Sequence, residues 1–142
     1  MTMKVQSYLA FEGRTQEALD FYTSAVGAVV EKVIRYKDMP GACPPNSGMD
    51  EKILHSSFTV GETQVMASDG RMSGEKAEFK GISLALTVDN DAEAKKRFAA
   101  LQAGGQVIQP LIPAFFTTAF GIVADKFGVT WLVVSATTPK TA

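Results

Sequence analysis

Two side chains could carry acid–base or nucleophilic chemistry: His55, the sole histidine of the chain, and Cys43, its sole cysteine. An imidazole changes charge near neutral pH, so His55 could act as a general base or donate a hydrogen bond to a ligand. Cys43 would need a neighbouring base or cation to become a nucleophile, and none flanks it in the sequence. We therefore interpret Cys43 as a loop cysteine without a role. We interpret His55 as a partly exposed strand histidine that is paired to a neighbour.

The composition of the chain excludes several classes of function. Its 142 residues are 46% hydrophobic and 20% charged, which is the balance of one globular domain. The formal net charge is −1 and the basic cluster at residues 95–97 is short, so no nucleic-acid partner is expected. The longest apolar run, residues 129–136, is too short to cross a bilayer. The amino terminus lacks a secretory signal, so we expect a cytoplasmic protein with no membrane partner.

The elements that must position any functional residue occur in the same order twice. Hydrophobic patterns predict a strand, a helix and three strands in each half of the chain. In the first half these are residues 5–11, the helix 15–26, and residues 29–36, 53–60 and 63–68. In the second half they are residues 82–88, a helix between Asn90 and Gly104, and residues 106–111, 115–123 and 129–135. The sequence predicts one α+β domain, residues 1–142, with module one at about 1–75 and module two at about 76–142.

Three stretches carry a family resemblance. They are S-Y-L-A-F-E-G-R-T-Q-E-A-L-D-F-Y at 7–22, S-L-A-L-T-V-D-N at 83–90 and D-K-F-G-V-T-W at 125–131. They resemble the vicinal oxygen chelate superfamily of glyoxalases, bleomycin-resistance proteins and dioxygenases. With H-S-S-F near residue 55 and V-M-A-S-D after it, the chain is similar to the PhnB-like branch. The resemblance implies two βαβββ modules that form a curved, incompletely closed mixed sheet around a central cavity, and a homodimer.

The resemblance also implies where a metal would be bound. Metal-dependent members of the superfamily place one ligand, usually histidine or glutamate, on each of four strands. By the resemblance these positions are Ser7, Met66, Ser83 and Leu132. Hydroxyl, thioether and alkyl side chains are poor ligands for a hard or borderline cation. We therefore expect no metal and no other cofactor.

Strand alternation predicts which residues would line the cavity. If Ser7 faces it, so do Leu9 and Phe11, because side chains two residues apart share a face. The same rule turns Met66 and Ser68 inward, and in the second module Ser83, Ala85, Thr130 and Leu132. The predicted ligand-binding residues are Ser7, Leu9, Phe11, His55, Met66, Ser68, Ser83, Phe116 and Leu132. Such a surface favours a small, largely apolar molecule with one or two polar atoms.

We accordingly predict a metal-independent small-molecule binding protein, or an enzyme that uses hydroxyl and ring contacts. One alternative is a metal-dependent lyase, isomerase or dioxygenase with atypical ligands. Another is an antibiotic-binding resistance protein. A methyltransferase is disfavoured, because Gly13 stands alone after the first strand and no glycine-rich turn for a nucleotide-type methyl donor follows.

Overall fold

The computed structural model describes residues 2–41, 48–70 and 75–139. Cys43 lies outside the described residues. The chain divides into two compact units, Met1–Ala77 and Glu78–Ala142. In the described part of the chain, no helix is long and apolar enough to cross a membrane.

The first unit contains one α-helix, one short 3-10 helix (Tyr36–Asp38) and four strands among its described residues. In chain order the α-helix and the strands are β1 (Tyr8–Ala10), α1 (Thr15–Val26), β2 (Val29–Arg35), β3 (Ile53–Val60) and β4 (Thr63–Ser68). The strands form one sheet in the order β1-β4-β3-β2, in which β1 runs parallel to β4 and the other pairs are antiparallel. The β3–β4 hairpin turns at Gly61, whose φ of 57° is the positive value that a type II′ turn requires at its first central residue.

Helix α1 covers one face of this sheet. Its buried stripe recurs every three or four residues, and Tyr22 in that stripe is fully buried. The Tyr22 ring stacks on that of Phe58 from β3, with centroids 5.8 Å apart. Gly27 ends the helix in the left-handed conformation, where its N–H donates to the Tyr22 carbonyl.

Asp69 joins the start of α1 to the sheet. Its buried carboxylate accepts hydrogen bonds from the backbone N–H of Thr15, at 2.9 Å, and of Ile53, at 2.6 Å. The first N–H groups of a helix have no partner within the helix, so a carboxylate there is favourable. Asp69 therefore has a structural role, which the sequence pattern did not reveal.

The second unit repeats the order of elements. In chain order they are β5 (Ser83–Val88), α2 (Asp91–Gln102), β6 (Gln106–Ala114), β7 (Thr117–Ala124) and β8 (Thr130–Ser135). The sheet order is β5-β8-β7-β6, with β5 parallel to β8. The α+β class and the two βαβββ modules are thus confirmed, and each module forms its own four-stranded mixed sheet.

Helix α2 packs closely on β7. Asn90 caps the helix by accepting a hydrogen bond from the Glu93 N–H at 2.9 Å. Phe98 on the buried stripe reaches Gly121 of β7, where an added Cβ would lie 2.7 Å from the ring. The absence of a side chain at Gly121 therefore sets the distance between helix and sheet.

The predicted boundaries of β6 and β7 were wrong. The sequence prediction ended β6 at residue 111 and began β7 at residue 115, whereas β6 continues to Ala114 and β7 begins at Thr117. Pro110 and Pro113 lie within β6 because this strand is at the edge of its sheet, where a missing N–H costs no ladder hydrogen bond.

Candidate functional site

The first sheet has a second face, which α1 does not cover, and we call it the open face of the first module. The strand registers place Tyr8 of β1 beside Met66 of β4, Met66 beside Ser57 of β3, and Ser57 beside Lys32 of β2. Partners in register share a face of a sheet, so these side chains form one row across all four strands. His55 lies on the same face as Ser57, two residues earlier in β3.

The prediction that Leu9 and Phe11 share a face with Met66 and Ser68 is wrong. Leu9 is paired with the fully buried Ala67, and the Phe11 ring contacts Tyr22 of α1 at a centroid distance of 6.1 Å. Both residues therefore lie on the helix-covered face. A one-residue error in register moves every side chain of a strand to the opposite face, and the predicted register of β1 contained that error.

The same error applies to Ser7. Its carbonyl oxygen accepts a hydrogen bond from the Met66 N–H at 3.0 Å, so the chain at Ser7 still follows β4. Alternation from Leu9 then turns the Ser7 side chain toward the helix-covered face, and Tyr8 takes the position on the open face. Whether any predicted residue binds a ligand stays a prediction.

A hydrogen-bonded pair of rings occupies the open face. The Tyr8 hydroxyl lies 3.0 Å from Nδ1 of His55, and the two ring centroids are 5.6 Å apart. Tyr8 is 49% exposed, which is high for a tyrosine in a sheet. His55 is thus a strand histidine paired to a neighbour, as interpreted from the sequence, but the partner was not foreseen. The pair combines groups that can each donate or accept a hydrogen bond in an accessible position.

Two serines of this face are buried. Ser57 is 7% exposed and Ser68 is 8% exposed, and the Ser68 hydroxyl accepts a hydrogen bond from the Gly70 N–H at 3.2 Å. Met66 lies between Tyr8 and Ser57 and is half-buried. The face therefore combines small hydroxyls, one flexible apolar side chain and the Tyr8–His55 pair.

A carboxylate lies at one end of the open face. Glu31 accepts hydrogen bonds from the Thr59 hydroxyl and from Nε2 of Gln64. The hydrogen bond from Thr59, then that from Gln64, hold the pKa of Glu31 below its ordinary value, and the nearby charge of Lys4 acts in the same direction. Glu31 is therefore an ionised group that is already engaged by its neighbours.

The second sheet also has a face that its helix does not cover. Trp131 and Val133 of β8 are buried against α2, so Leu132 faces the other way, together with Ser83 and Ala85 of β5. This orientation agrees with the predicted one. Phe116 is 46% exposed in the β6–β7 turn, and its ring contacts those of Phe115 and Phe120.

The residues at the expected ligand positions do not fit a metal ion. After correction of the β1 register, the open-face positions are Tyr8 and Met66 in the first module and Ser83 and Leu132 in the second. None of these is an imidazole or a carboxylate. Among residues 2–41, 48–70 and 75–139, no three histidine, cysteine, aspartate or glutamate side chains converge on one point. We therefore derive no chemistry through a metal.

The motif D-K-F-G-V-T-W proves to be a structural turn. One oxygen of the buried Asp125 carboxylate accepts hydrogen bonds from the N–H groups of Phe127 and Val129, and the other accepts from Nε1 of Trp131 at 2.9 Å. These bonds fix the turn that leads into β8 and orient Trp131 in the core.

Each module consists of a helix on one face of a four-stranded mixed sheet, and this fold is also found in glyoxalase-related enzymes and resistance proteins of known structure. The fold is shared by the fosfomycin resistance protein FosX from Mesorhizobium loti, at 12% identity and a TM-score of 0.59 over 96% of this chain and 95% of that one. The chain belongs to the PhnB-like family described as 3-demethylubiquinone-9 3-methyltransferase, which matches residues 3–134.

Relatives in this family match the chain over nearly its whole length. Protein YjdN from Escherichia coli strain K12 is 33% identical over 92% of this chain and 94% of its own. Protein PA1353 from Pseudomonas aeruginosa is 35% identical with a TM-score of 0.84, over 96% of this chain and 99% of that one. The putative 3-demethylubiquinone-9 3-methyltransferase, PhnB protein, from Bacillus cereus is 29% identical with a TM-score of 0.78, over 94% and 100%.

Proposed function

We propose that this protein binds a small, largely apolar molecule without a metal ion, on the open face of the first module. The observation that carries the proposal is the accessible Tyr8–His55 pair, which lies beside Met66 where metal-dependent relatives would place ligands. Binding sites for small molecules combine apolar walls with a few polar groups that fix orientation. The open face offers both.

The family description names a methyltransferase, and the chain offers little support for that activity. A nucleotide-type methyl donor is held where a glycine-rich turn follows a strand and opens a helix. Here β1 leads into α1 through Glu12 and Gly13, and the N–H of Thr15 at the helix start is already bonded to Asp69. We therefore propose binding rather than methyl transfer as the activity of this face.

Nuclear magnetic resonance can test the proposal directly, because His55 is the sole histidine and its imidazole signals need no assignment. The protein is dialysed against a chelator and titrated with benzyl alcohol, benzamide, benzoate and indole. We expect at least one probe to shift the His55 signals saturably, with no change when zinc or magnesium is added. A shift that requires added metal, or no shift with any probe, would contradict the proposal.

A blocking variant locates the binding site. Met66→Trp fills the space between Tyr8 and Ser57 and should abolish the response to the probes. Ser24→Trp is the matched control, because Ser24 is exposed on α1, on the other side of the sheet. Thermal unfolding of both variants checks that the fold is retained. Equal binding by the two variants would place the site elsewhere.

A further inference from the structure

We propose that the Tyr8–His55 pair, with Lys32 on the same face of the sheet, binds a carboxylate or a comparable oxyanion of the ligand and takes up a proton as it does so. This inference rests on the proposed function and adds the chemical class of the ligand. It follows from the hydrogen bond within the pair and from the charges on the open face.

The hydrogen bond between Tyr8 and His55 limits what the pair can offer to a ligand. A neutral imidazole has two tautomers, and in each of them the pair offers a ligand one donor and one acceptor. If Nε2 carries the proton, the Tyr8 O–H donates to Nδ1, whereas if Nδ1 carries it, Nδ1–H donates to the phenol oxygen and Nε2 is the acceptor. With a protonated imidazole, Nδ1–H donates to the phenol oxygen. The Tyr8 O–H is then released, so the pair presents two donors and a positive charge. A carboxylate accepts two such hydrogen bonds, and charge-assisted bonds are the stronger kind.

Lys32 adds a second positive charge to the same face. It lies in the row of Tyr8, Met66 and Ser57, next to Ser57. Within the described ranges no carboxylate forms an ion pair with Lys32. The charge of Lys32 is thus available to an anionic ligand.

Carboxylates lie near both ends of this face, Glu12 near Gly70 and Glu31 near Thr59, and neither is in the row that joins Tyr8 to Lys32. Glu31 is bonded to Thr59, which lies four residues beyond His55 on β3, a distance of roughly 13 Å along a strand. Exposed charges that far apart are largely screened at physiological ionic strength, where the Debye length is about 8 Å. Arg35 of β2 donates to Gln16 of α1, on the helix-covered side.

The uncharged neighbours suit the remainder of such a ligand. The side chains of β4 on this face, Gln64, Met66 and Ser68, carry no charge. On β2, Ile34 lies directly beside His55. An apolar body could therefore contact Met66 and Ile34 while its oxyanion meets the Tyr8–His55 pair, so an aromatic carboxylate is a suitable probe.

The test compares benzoate with benzamide, its neutral isostere, at about pH 5.5 and about pH 8.5, on either side of the range in which histidines change charge. We expect benzoate to bind roughly tenfold or more tightly at the lower pH, the effect of one hydrogen bond to a charged group. Benzamide should bind equally at both pH values. Affinities are measured by calorimetry, so that variants without the histidine remain measurable.

Three variants and a control assign the effect to residues. His55→Gln should abolish the pH dependence, while Tyr8→Phe and Lys32→Gln should weaken the binding of benzoate more than that of benzamide. Lys96→Gln removes an exposed positive charge from α2 and should change neither probe. Circular dichroism confirms that each variant is folded.

The outcomes separate this inference from the proposed function. If benzamide binds at the open face but benzoate gains nothing at low pH, or if His55→Gln keeps the full pH dependence, the oxyanion inference is wrong and the binding function stands. If benzoate does not bind while other probes do, the inference is equally overturned. If no probe binds at either pH, both proposals fall.

Discussion

At the scale of single residues, the buried carboxylate of Asp125 fixes the turn into β8 through three donors: two backbone N–H groups and the indole of Trp131. We expect Asp125→Ala to lower the free energy of unfolding by roughly 2–4 kcal/mol, because it leaves these donors without an acceptor. Urea denaturation measures the change. Lys126→Ala, at the exposed neighbouring position, is the control and should have little effect. Equal stabilities of the two variants would show that water replaces the carboxylate.

Asp91 at the start of α2 should make the melting temperature depend on pH in the acidic range. The hydrogen bond from the Thr118 hydroxyl, then that from Ser135, hold the pKa of Asp91 below its ordinary value of 3.8. A carboxyl with a lowered pKa in the folded state contributes stability that is present above the unfolded pKa and is lost as pH falls through the folded one. Asp91→Asn should therefore flatten the fall in melting temperature below about pH 4.

The control for that experiment is Asp89→Asn, which removes a nearby charge without removing these two hydrogen bonds. Its melting temperature should fall with acid as steeply as that of the parent protein. If Asp89→Asn flattens the acid dependence as much as Asp91→Asn does, the effect is one of net charge and the hydrogen bonds are not its cause.

Single residues of the site were only partly predictable. The sequence shows that His55 is the only histidine, and we expected it to pair with a neighbour. Nothing in the sequence indicated that this neighbour is Tyr8. Tyr8 and Leu9 alternate on a three-residue strand, and a strand that short gives no periodic pattern to fix its register. The sequence therefore shows the residue types of β1 but not the face of the sheet on which each side chain lies. The pairing of β1 with β4 determines that face.

At the scale of elements, the contact of α2 with β7 depends on Gly121. Gly121→Ala would bring a Cβ to 2.7 Å from the Phe98 ring and 3.1 Å from the Leu111 side chain. We expect a loss of roughly 1–3 kcal/mol, because overpacking displaces the helix from the sheet. Chemical denaturation measures it.

A second substitution tests the cause of that loss. Phe98→Leu makes the facing side chain smaller, so the double variant with Gly121→Ala should be less destabilised than the sum of the two single variants. Additive effects would mean that the cost arises from the strand itself and not from the helix contact.

The helices were more predictable than the strands. The interval of α1, Thr15–Val26, agrees with the predicted one, because an apolar stripe of period three to four and a glycine cap define both ends. The end of β6 was missed because prolines ordinarily mark turns. Only the sheet order, which places β6 at an edge, explains why Pro110 and Pro113 lie within a strand.

At the scale of the whole molecule, we expect a homodimer. Among the residues that the structure describes, each four-stranded sheet has two edge strands, namely β1 and β2 in the first module and β5 and β6 in the second. Exposed edges are usually covered in natural proteins, and a second copy is a common cover. Analytical ultracentrifugation at micromolar concentration should give twice the chain mass of 15.2 kDa. A species of the single-chain mass across the concentration range would contradict this prediction.

The repeated order of elements made the fold class predictable, since each half independently predicted strand, helix and three strands. The pairing partners of the strands were not predictable from the same patterns. Alternation and propensity describe one strand at a time, whereas the orders β1-β4-β3-β2 and β5-β8-β7-β6 depend on contacts far apart in the chain.

We expect the two prolines of β6 to slow the formation of fibrils, because they lie in an edge strand. A strand that lacks amide donors at two positions cannot template the continuous backbone ladder by which cross-β aggregates grow. Replacing Pro110 and Pro113 by threonine would restore both donors in the segment Q-V-I-Q-P-L-I-P-A, whose Ile108 and Ile112 are about half exposed. We expect this double variant to show faster thioflavin-positive aggregation on mild heating than the parent protein. Pro40→Thr, a substitution outside the strands, should not. On this hypothesis, two residues of one edge strand determine how readily the whole chain aggregates.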